Sequence, residues 1–146
     1  GIFPRVSNIA DIDMDDYGQT LAVNLLGPVR VTRALLPNLK ESELKTVINI
    51  TSQLGSIGLN TSGNFYGYRE SKAGLNMFSR TLANELAADG FTVVTLHPGW
   101  VRTDMGGSNA PLTPETSVSM MRSVIDGLTP AASGTYLSYE GEEVPW

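Results

Sequence analysis

Two stretches of the sequence decide the fold: TVINI at residues 46–50 and TVVTL at residues 92–96. Both are short, apolar and rich in β-branched residues. Neither alternates apolar with polar positions, which is typical of strands covered on both faces. Between them, residues 68–88 repeat apolar side chains such as Leu75 and Leu82 at helical spacing. A strand, a helix and a second strand in this order predict an α/β fold with a parallel sheet and a right-handed crossover.

Two further helices are predicted outside this unit. Acidic residues at 11–16 favour a helix start, and the apolar spacing that follows predicts a helix over about residues 15–38. Pro28 lies inside that helix, where it removes a backbone hydrogen bond and should bend the axis. Thr113 followed by proline is typical of the start of a helix, which Gly127 should close.

The remaining segments are predicted to be loops and one short strand. Residues 51–67 hold four glycines among serine, threonine and asparagine, which predicts a loop. Residues 99–112 form a second loop, longer than most connections in compact domains and therefore a candidate lid. A last strand is expected over residues 135–138. No internal repeat or linker divides the chain, so residues 1–146 are expected to form a single domain.

Composition excludes several classes of function. The chain is 41% hydrophobic and 17% charged, as expected of one soluble globular domain. It has no cysteine and one histidine, so thiol chemistry is excluded and no metal site is expected. The net charge of −5 has the wrong sign for binding nucleic acid or an anionic membrane. No segment has the pattern of a leader peptide or a membrane span, which predicts a cytoplasmic location.

Common nucleotide-binding motifs are absent. None of the fifteen glycines has another glycine two positions away, so the dinucleotide fingerprint of a strand–helix turn is missing. The phosphate loop ending in Gly-Lys-Ser/Thr and the glycine-flanked serine of hydrolases are missing as well. Function must therefore be sought in other residues.

Tyr68 and Lys72 form the pair with the clearest chemical meaning. They are four residues apart at the start of the central helix, so their side chains share one face. A phenol is a poor acid or base at neutral pH, and a nearby ammonium should lower its pKa toward the working range. The alternative is a tyrosine ring that packs on a lysine stem at the surface.

Three other polar residues have both functional and structural interpretations. Ser52 follows the first strand, where α/β sheets place their sites, but its hydroxyl could equally bond local backbone in a turn. Asn24 stands in an apolar stretch and must find hydrogen-bond partners, either in a site or in the core. His97 has no second metal-type residue nearby in the sequence and is interpreted as structural.

Together, these motifs resemble the short-chain dehydrogenase/reductase family. They are Asn24 in VNLLG, Ser52 in NITS, YRESK at residues 68–72 and PGWVRT at residues 98–103, and their order matches the family. The longer stretches around them are similar to the C-factor-like and sniffer-like carbonyl reductase branch. The resemblance extends over essentially the whole chain.

The resemblance implies roles for individual residues. Tyr68 would be the acid or base at the substrate oxygen, and Ser52 would hold that oxygen. Lys72 would lower the pKa of Tyr68 and bind the nicotinamide ribose, and Asn24 would anchor a water molecule of a proton relay. Tyr68 and Lys72 would thus contact the cofactor, together with Pro98, Gly99, Val101 and Thr103. The cofactor would be NADP(H) or NAD(H), and the substrate a small carbonyl compound or alcohol.

The resemblance also implies that part of the family fold is missing. Family members open with a glycine-rich turn for the cofactor pyrophosphate, whereas this chain resembles them only from Gly1 onward. The expected structure is therefore the C-terminal portion of a Rossmann-like, doubly wound parallel sheet. A homodimer through the helices at 15–38 and 68–88 is expected by the same resemblance. The alternative is a truncated, non-catalytic protein that acts in oligomerisation or signalling.

Overall fold

The computed structural model of the chain describes residues 1–6 and 8–146. Three strands form one parallel sheet in the order β1 (Thr46–Ile50), β2 (Thr92–His97) and β3 (Tyr136–Ser138). Thr46 pairs with Thr92 at one end of the β1–β2 register, and Thr95 pairs with Tyr136 between β2 and β3. All three strands lie where the sequence predicts them, and the α/β class with a parallel sheet is confirmed.

Helices cover both faces of the sheet. Val93 of β2 belongs to a core cluster with Leu82 of the central helix and with Leu86, which follows the last residue of that helix. The neighbouring Val94 faces the opposite side and belongs to a second cluster, against which Met121 and Ile125 pack. Since successive side chains of a strand point to opposite faces, β2 contributes to both cores and is the centre of the fold.

The first helix is long and contains one irregular segment. It comprises α1 (Met14–Leu21), a π-helical segment (Ala22–Leu26) and α2 (Gly27–Glu41). The Asp13 carboxylate caps its start by accepting hydrogen bonds from the Asp15 and Asp16 amides. Pro28 follows the π segment and has no N–H to donate into the helix. The irregular segment therefore lies just before this proline, and the bend of the axis stays a prediction.

The other two helices begin at the residues that the sequence predicts, but the central helix ends three residues earlier than expected. The central helix, α3, spans Tyr68–Glu85 and is followed by a short 3₁₀ turn (Ala87–Asp89). Gly90 ends this segment with φ of 78°, a conformation that glycine adopts without steric cost. The last helix, α4, spans Pro114–Asp126, with the Thr113 hydroxyl accepting from the Thr116 amide and Gly127 at its end. In the part of the chain that the structure describes, no helix is long and apolar enough to cross a membrane.

The expectation that β1 and β2 are both covered on both faces is wrong for β1. Every residue of β2 is buried, whereas most of β1 is half-buried and the Ile50 side chain is 45% exposed. The physical reason is position: β2 lies between two strands, and β1 forms an edge of the three-stranded sheet. Composition alone does not reveal which neighbours a strand has.

Candidate active site

The carboxyl end of β1 and the first turn of α3 bring Ser52, Tyr68 and Lys72 together. Ser52 lies two residues beyond β1, and Tyr68 is the first residue of α3. Lys72 follows one helical turn later, and its Nζ lies 5.7 Å from the centre of the Tyr68 ring. The helical spacing in the sequence thus predicts the Tyr68–Lys72 contact correctly. The surface alternative is wrong, because both residues are buried.

Tyr68 is held in an apolar environment. Its ring is 7% exposed and meets the Phe3 ring edge-on, with 4.5 Å between ring centres. Burial raises the pKa of the Tyr68 phenol, and the nearby Ser52 hydroxyl opposes that rise. The expected lowering of this pKa by Lys72 is not observed, because desolvation dominates the environment of the phenol.

Lys72 is a buried cation with a backbone partner. The residue is 8% exposed, and Nζ donates a hydrogen bond of 3.1 Å to the Ile50 carbonyl of β1. Burial lowers the pKa of its ammonium. The charge is therefore fixed beside the tyrosine ring by the end of the strand rather than directed at the phenol oxygen.

Ser52 is fixed through both its side chain and its backbone. Its Oγ accepts a hydrogen bond of 3.2 Å from the Leu54 amide and caps a short 3₁₀ turn (Gln53–Gly55). Its carbonyl accepts from the Gly55 amide and from the Tyr136 hydroxyl, both at 2.8 Å. The local turn proposed as the structural alternative is thus present. It uses Oγ as an acceptor and leaves the hydroxyl proton available for donation.

A cavity of about 310 Å³ opens where Ser52 and Tyr68 meet the segment after β2. The residues predicted to contact the cofactor in that segment all line it: Pro98, Gly99, Val101 and Thr103. Gly99 has φ of 79°, and a Cβ there would approach side-chain atoms of Leu112 and Tyr139 to 2.5 and 2.8 Å. Glycine is therefore required at this wall of the cavity.

The loop after β2 is folded back on itself. Val101 forms a parallel bridge with Leu112, and the Arg102 guanidinium donates to the carbonyls of Ala110 and Pro111. Thr103 is exposed at the tip, where its hydroxyl accepts from the Gly106 amide. These contacts connect the two ends of the loop and support the wall of the cavity. Its action as a lid stays a prediction.

Asn24 lies apart from the cavity and has a full set of partners. Its Oδ1 accepts a hydrogen bond of 2.8 Å from the Ile2 amide. Its Nδ2 donates to the Ile2 carbonyl at 2.8 Å and to the Ser71 hydroxyl at 3.1 Å. The side chain is buried in the π-helical segment. It therefore connects the start of the chain to α3, next to Lys72 in the sequence, and does not contact Lys72 itself.

A second cavity, of about 440 Å³, adjoins the first and shares Ser52 and Gly99 with it. Its lining is mainly apolar and aromatic, from Phe3, Phe65 and Trp100. A charged side chain, that of Arg5, also lines it and donates a hydrogen bond to the Met105 carbonyl. The Phe3 and Phe65 rings contact one another, with 5.1 Å between their centres. Ser52 thus stands between two compartments, one walled by the segment after β2 and one walled by aromatic rings.

Two residues near the cavities, His97 and Tyr136, form hydrogen bonds that support the site. His97 is buried at the end of β2, where its Nδ1 accepts from the Gly99 amide and supports the glycine turn. That agrees with its structural interpretation, and burial lowers the pKa of its imidazole. Tyr136 was predicted only as part of a short strand, and its contact with Ser52 spans 84 residues. No local pattern could have indicated that contact.

A family model and a similar protein sequence both assign the chain to one family. The family model for short chain dehydrogenase matches residues 1–112. C-signal of Myxococcus xanthus is 49% identical over 138 residues, which cover 94% of this chain and 83% of that protein.

Solved structures agree with this family. The chain aligns over its whole length with the carbonyl reductase Sniffer of D. melanogaster, with a TM-score of 0.95 and 37% identity. It also aligns over its whole length with an NADPH-bound carbonyl reductase from chicken fatty liver, with a TM-score of 0.91 and 34% identity. The chain spans 63% of the length of each of these two reductases.

Proposed function

Because the chain belongs to the short-chain dehydrogenase family, we propose that it carries the catalytic centre of an oxidoreductase that interconverts a carbonyl compound and an alcohol. The observation that supports this best is the shared cavity. Ser52 and Tyr68 line it together with Pro98 and Gly99, and Lys72 lies against the tyrosine ring. A proton donor, an oxygen-binding hydroxyl and a cation thus surround one space large enough for a reacting group.

Each polar residue of this centre has a chemical task. Tyr68 gives a proton to the carbonyl oxygen during reduction and takes it back during oxidation. The phenol carries its proton at neutral pH, as a proton donor must, although burial raises its pKa and makes it a weaker acid. Ser52 donates its free hydroxyl proton to the same oxygen. Lys72 keeps its Nζ 5.7 Å from the centre of the ring and would bind the nicotinamide ribose.

The residues around the cavity fit a nicotinamide cofactor, either NADP(H) or NAD(H). Its lining is predominantly apolar, as a nicotinamide ring requires, and the glycine at position 99 lets Leu112 and Tyr139 pack directly against the backbone of the cavity wall. Pro98, Gly99, Val101 and Thr103 would hold the nicotinamide end, with Tyr68 and Lys72 toward the ribose. Such a cofactor, when bound, supplies the hydride for reduction and accepts it in oxidation.

The proton relay of this centre would use the backbone of Asn24. The Asn24 side chain is fully occupied by Ile2 and Ser71. Pro28 has no N–H, so the Asn24 carbonyl lacks its usual α-helical donor four residues later. A carbonyl left free in this way can hold a water molecule that connects Lys72 to solvent.

The aromatic compartment would hold the substrate. Phe3, Phe65 and Trp100 surround a space of about 440 Å³ that opens on Ser52. Aromatic and apolar linings favour an uncharged organic group, with the reacting carbonyl directed toward the Ser52 and Tyr68 hydroxyls. A small apolar carbonyl compound is therefore the substrate class that we propose.

The test is carbonyl-dependent oxidation of a reduced nicotinamide cofactor. It should be measured on the 146-residue chain and on a chimera that places the uncovered N-terminal part of the D. melanogaster reductase before Gly1. Tyr68→Phe should lower the rate by at least roughly a hundredfold, because it removes the proton donor and leaves the ring. Tyr66→Phe is the matched control, since the same hydroxyl is removed two residues away and outside both cavities. Full activity of Tyr68→Phe in an active preparation would contradict the assignment.

Exposed apolar side chains on α2 and α3 would support a homodimer. Val31 and Leu35 lie one turn apart on α2 and are about half-exposed, and Met77 of α3 is exposed as well. Apolar side chains in such positions are available for pairing of these helices across a two-fold axis. Sedimentation should show a dimer that Val31→Lys with Leu35→Lys converts to a monomer. A wild-type chain that sediments as a monomer would contradict this interface.

A second candidate function is favoured by the open edge of β1 and the exposed apolar side chains of α2. Such surfaces suit a non-catalytic protein that acts in oligomerisation or signalling through contacts with other chains. This candidate requires that the 146-residue chain bind no nicotinamide cofactor in calorimetry. Binding in the micromolar range would exclude it and favour the oxidoreductase.

A further inference from the structure

We propose that Tyr136 is a positioning residue for Ser52, which it holds through the serine backbone. The inference rests on the proposed function, because it assigns Tyr136 a task in that reaction. The Tyr136 hydroxyl donates a hydrogen bond of 2.8 Å to the Ser52 carbonyl. Tyr136 lies on β3, so the contact crosses from one edge strand of the sheet to the loop that follows the other.

Packing alone does not require a hydroxyl at position 136. The residue is 1% exposed, and its ring packs near the rings of His97 and Trp146. A phenylalanine would fill the same space without the cost of removing a hydroxyl from water. The hydroxyl is compensated by its bond to Ser52. Burial raises the pKa of this phenol, so the group stays protonated and remains a donor at any physiological pH.

The bond affects the part of Ser52 that matters for chemistry. The Ser52 carbonyl is shared between Tyr136 and the Gly55 amide, and Oγ accepts from the Leu54 amide in the same turn. These contacts fix both the backbone and the side chain of the serine. The Oγ proton is then the side-chain donor that Ser52 can direct at a substrate, and its direction depends on how firmly the turn is held.

The loop that carries Ser52 has two further attachments to the same C-terminal segment. The Ser56 hydroxyl donates a hydrogen bond to the Pro145 carbonyl. The Gly58 amide donates a hydrogen bond of 2.7 Å to the Trp146 carbonyl. Tyr136 is thus the attachment nearest the reacting atoms. It is also the one that a single conservative substitution removes, because Phe keeps the ring and the Gly55 amide still satisfies the Ser52 carbonyl.

The decisive experiment is a double-mutant cycle with Tyr136→Phe and Ser52→Ala in the active form of the protein. Tyr136→Phe should lower kcat by roughly five- to twentyfold, the effect of one lost hydrogen bond to a positioned group. The KM for the cofactor should not change. In the Ser52→Ala background the same substitution should change kcat less than about twofold, because the group that it positions is gone. A merely structural role would give the same loss in both backgrounds.

Ser133→Ala is the matched control. It removes a hydroxyl that donates to the Phe91 carbonyl and accepts from the Val93 amide, and it lies at the far end of β2 from Ser52. It should leave kcat unchanged, even though it removes two hydrogen bonds to the backbone. An equal loss of kcat in both serine backgrounds, or no loss in either, would overturn the inference.

A second readout needs no activity. In the 146-residue chain, Tyr136→Phe should speed hydrogen exchange of the Leu54 and Gly55 amides severalfold and leave Val94 and Leu96 of β2 unchanged. If the wild-type protein shows no oxidoreductase activity, the proposed function fails. Unchanged exchange at Leu54 and Gly55 would then overturn the inference about Tyr136 as well, whereas a local increase would support the positioning contact.

Discussion

β1 and β2 have nearly the same kind of sequence and very different surroundings. Both are short, β-branched and apolar, and they pair in register from Thr46 with Thr92 to Ile50 with Leu96. Yet Leu96 is fully buried, whereas its partner Ile50 is nearly half-exposed. A continuous apolar run therefore shows that a strand is suited to the interior of a sheet. Whether the strand is buried there depends on the strands and helices next to it.

The difference also bears on the candidate site, because Lys72 binds the side of β1 that faces away from β2. The Thr51 amide donates to Leu96 of β2, so the backbone groups of Ile50 point the other way, toward the open side. There the Ile50 carbonyl accepts from Lys72 Nζ. The central strand thus supplies rigidity and the glycine turn at Gly99, while the edge strand supplies the acceptor that fixes the cation.

The largest expected difference between the strands comes from the register pair Leu96 and Ile50. Leu96→Thr should lower the free energy of unfolding by about 3 kcal/mol, because it leaves a cavity and buries a hydroxyl. Ile50→Thr should cost less than about 1 kcal/mol, since water reaches the position and threonine is favoured in strands. Urea denaturation of the two variants measures both values. Equal losses would show that β1 is covered as fully as β2.

A smaller difference is expected for Val47 and Val93, which also pair and contribute to the same core cluster. Val93→Ala should cost about 2 kcal/mol because the side chain is fully buried, and Val47→Ala about 1 kcal/mol. Thermal unfolding, followed by circular dichroism, ranks the two substitutions. A larger effect at Val47 would contradict the assignment of the open edge to β1.

Local patterns predicted much of the fold. The spacing along α3, the glycine at position 90 and the Thr113 cap depend on neighbours in sequence, and all three lie where expected. The Tyr68–Lys72 contact follows from the same helical geometry. The burial of β1 depends on a neighbouring strand instead, and no local pattern reports that.

Contacts that span long stretches of sequence could not be predicted. Asn24 was expected to need partners, but its bonds to Ile2 and Ser71 span 22 and 47 residues. The hydrogen bond from Tyr136 to Ser52 spans 84 residues and forms only when the strands of the sheet are paired. The upward shift of the Tyr68 pKa also comes from burial, to which Phe3 contributes. The sequence reveals the charge of Lys72 but not this burial, so it predicts a shift in the wrong direction.

The central claim is that the cavity between Ser52, Tyr68 and Gly99 is where a carbonyl compound is reduced. The most direct measurement follows deuterium from a reduced nicotinamide labelled at C4 to the alcohol product, by mass spectrometry. The account predicts labelled alcohol from the active chimera, and a loss of label with Tyr68→Phe but not with Tyr66→Phe. Equal labelling by the Tyr68→Phe and Tyr66→Phe variants would contradict it.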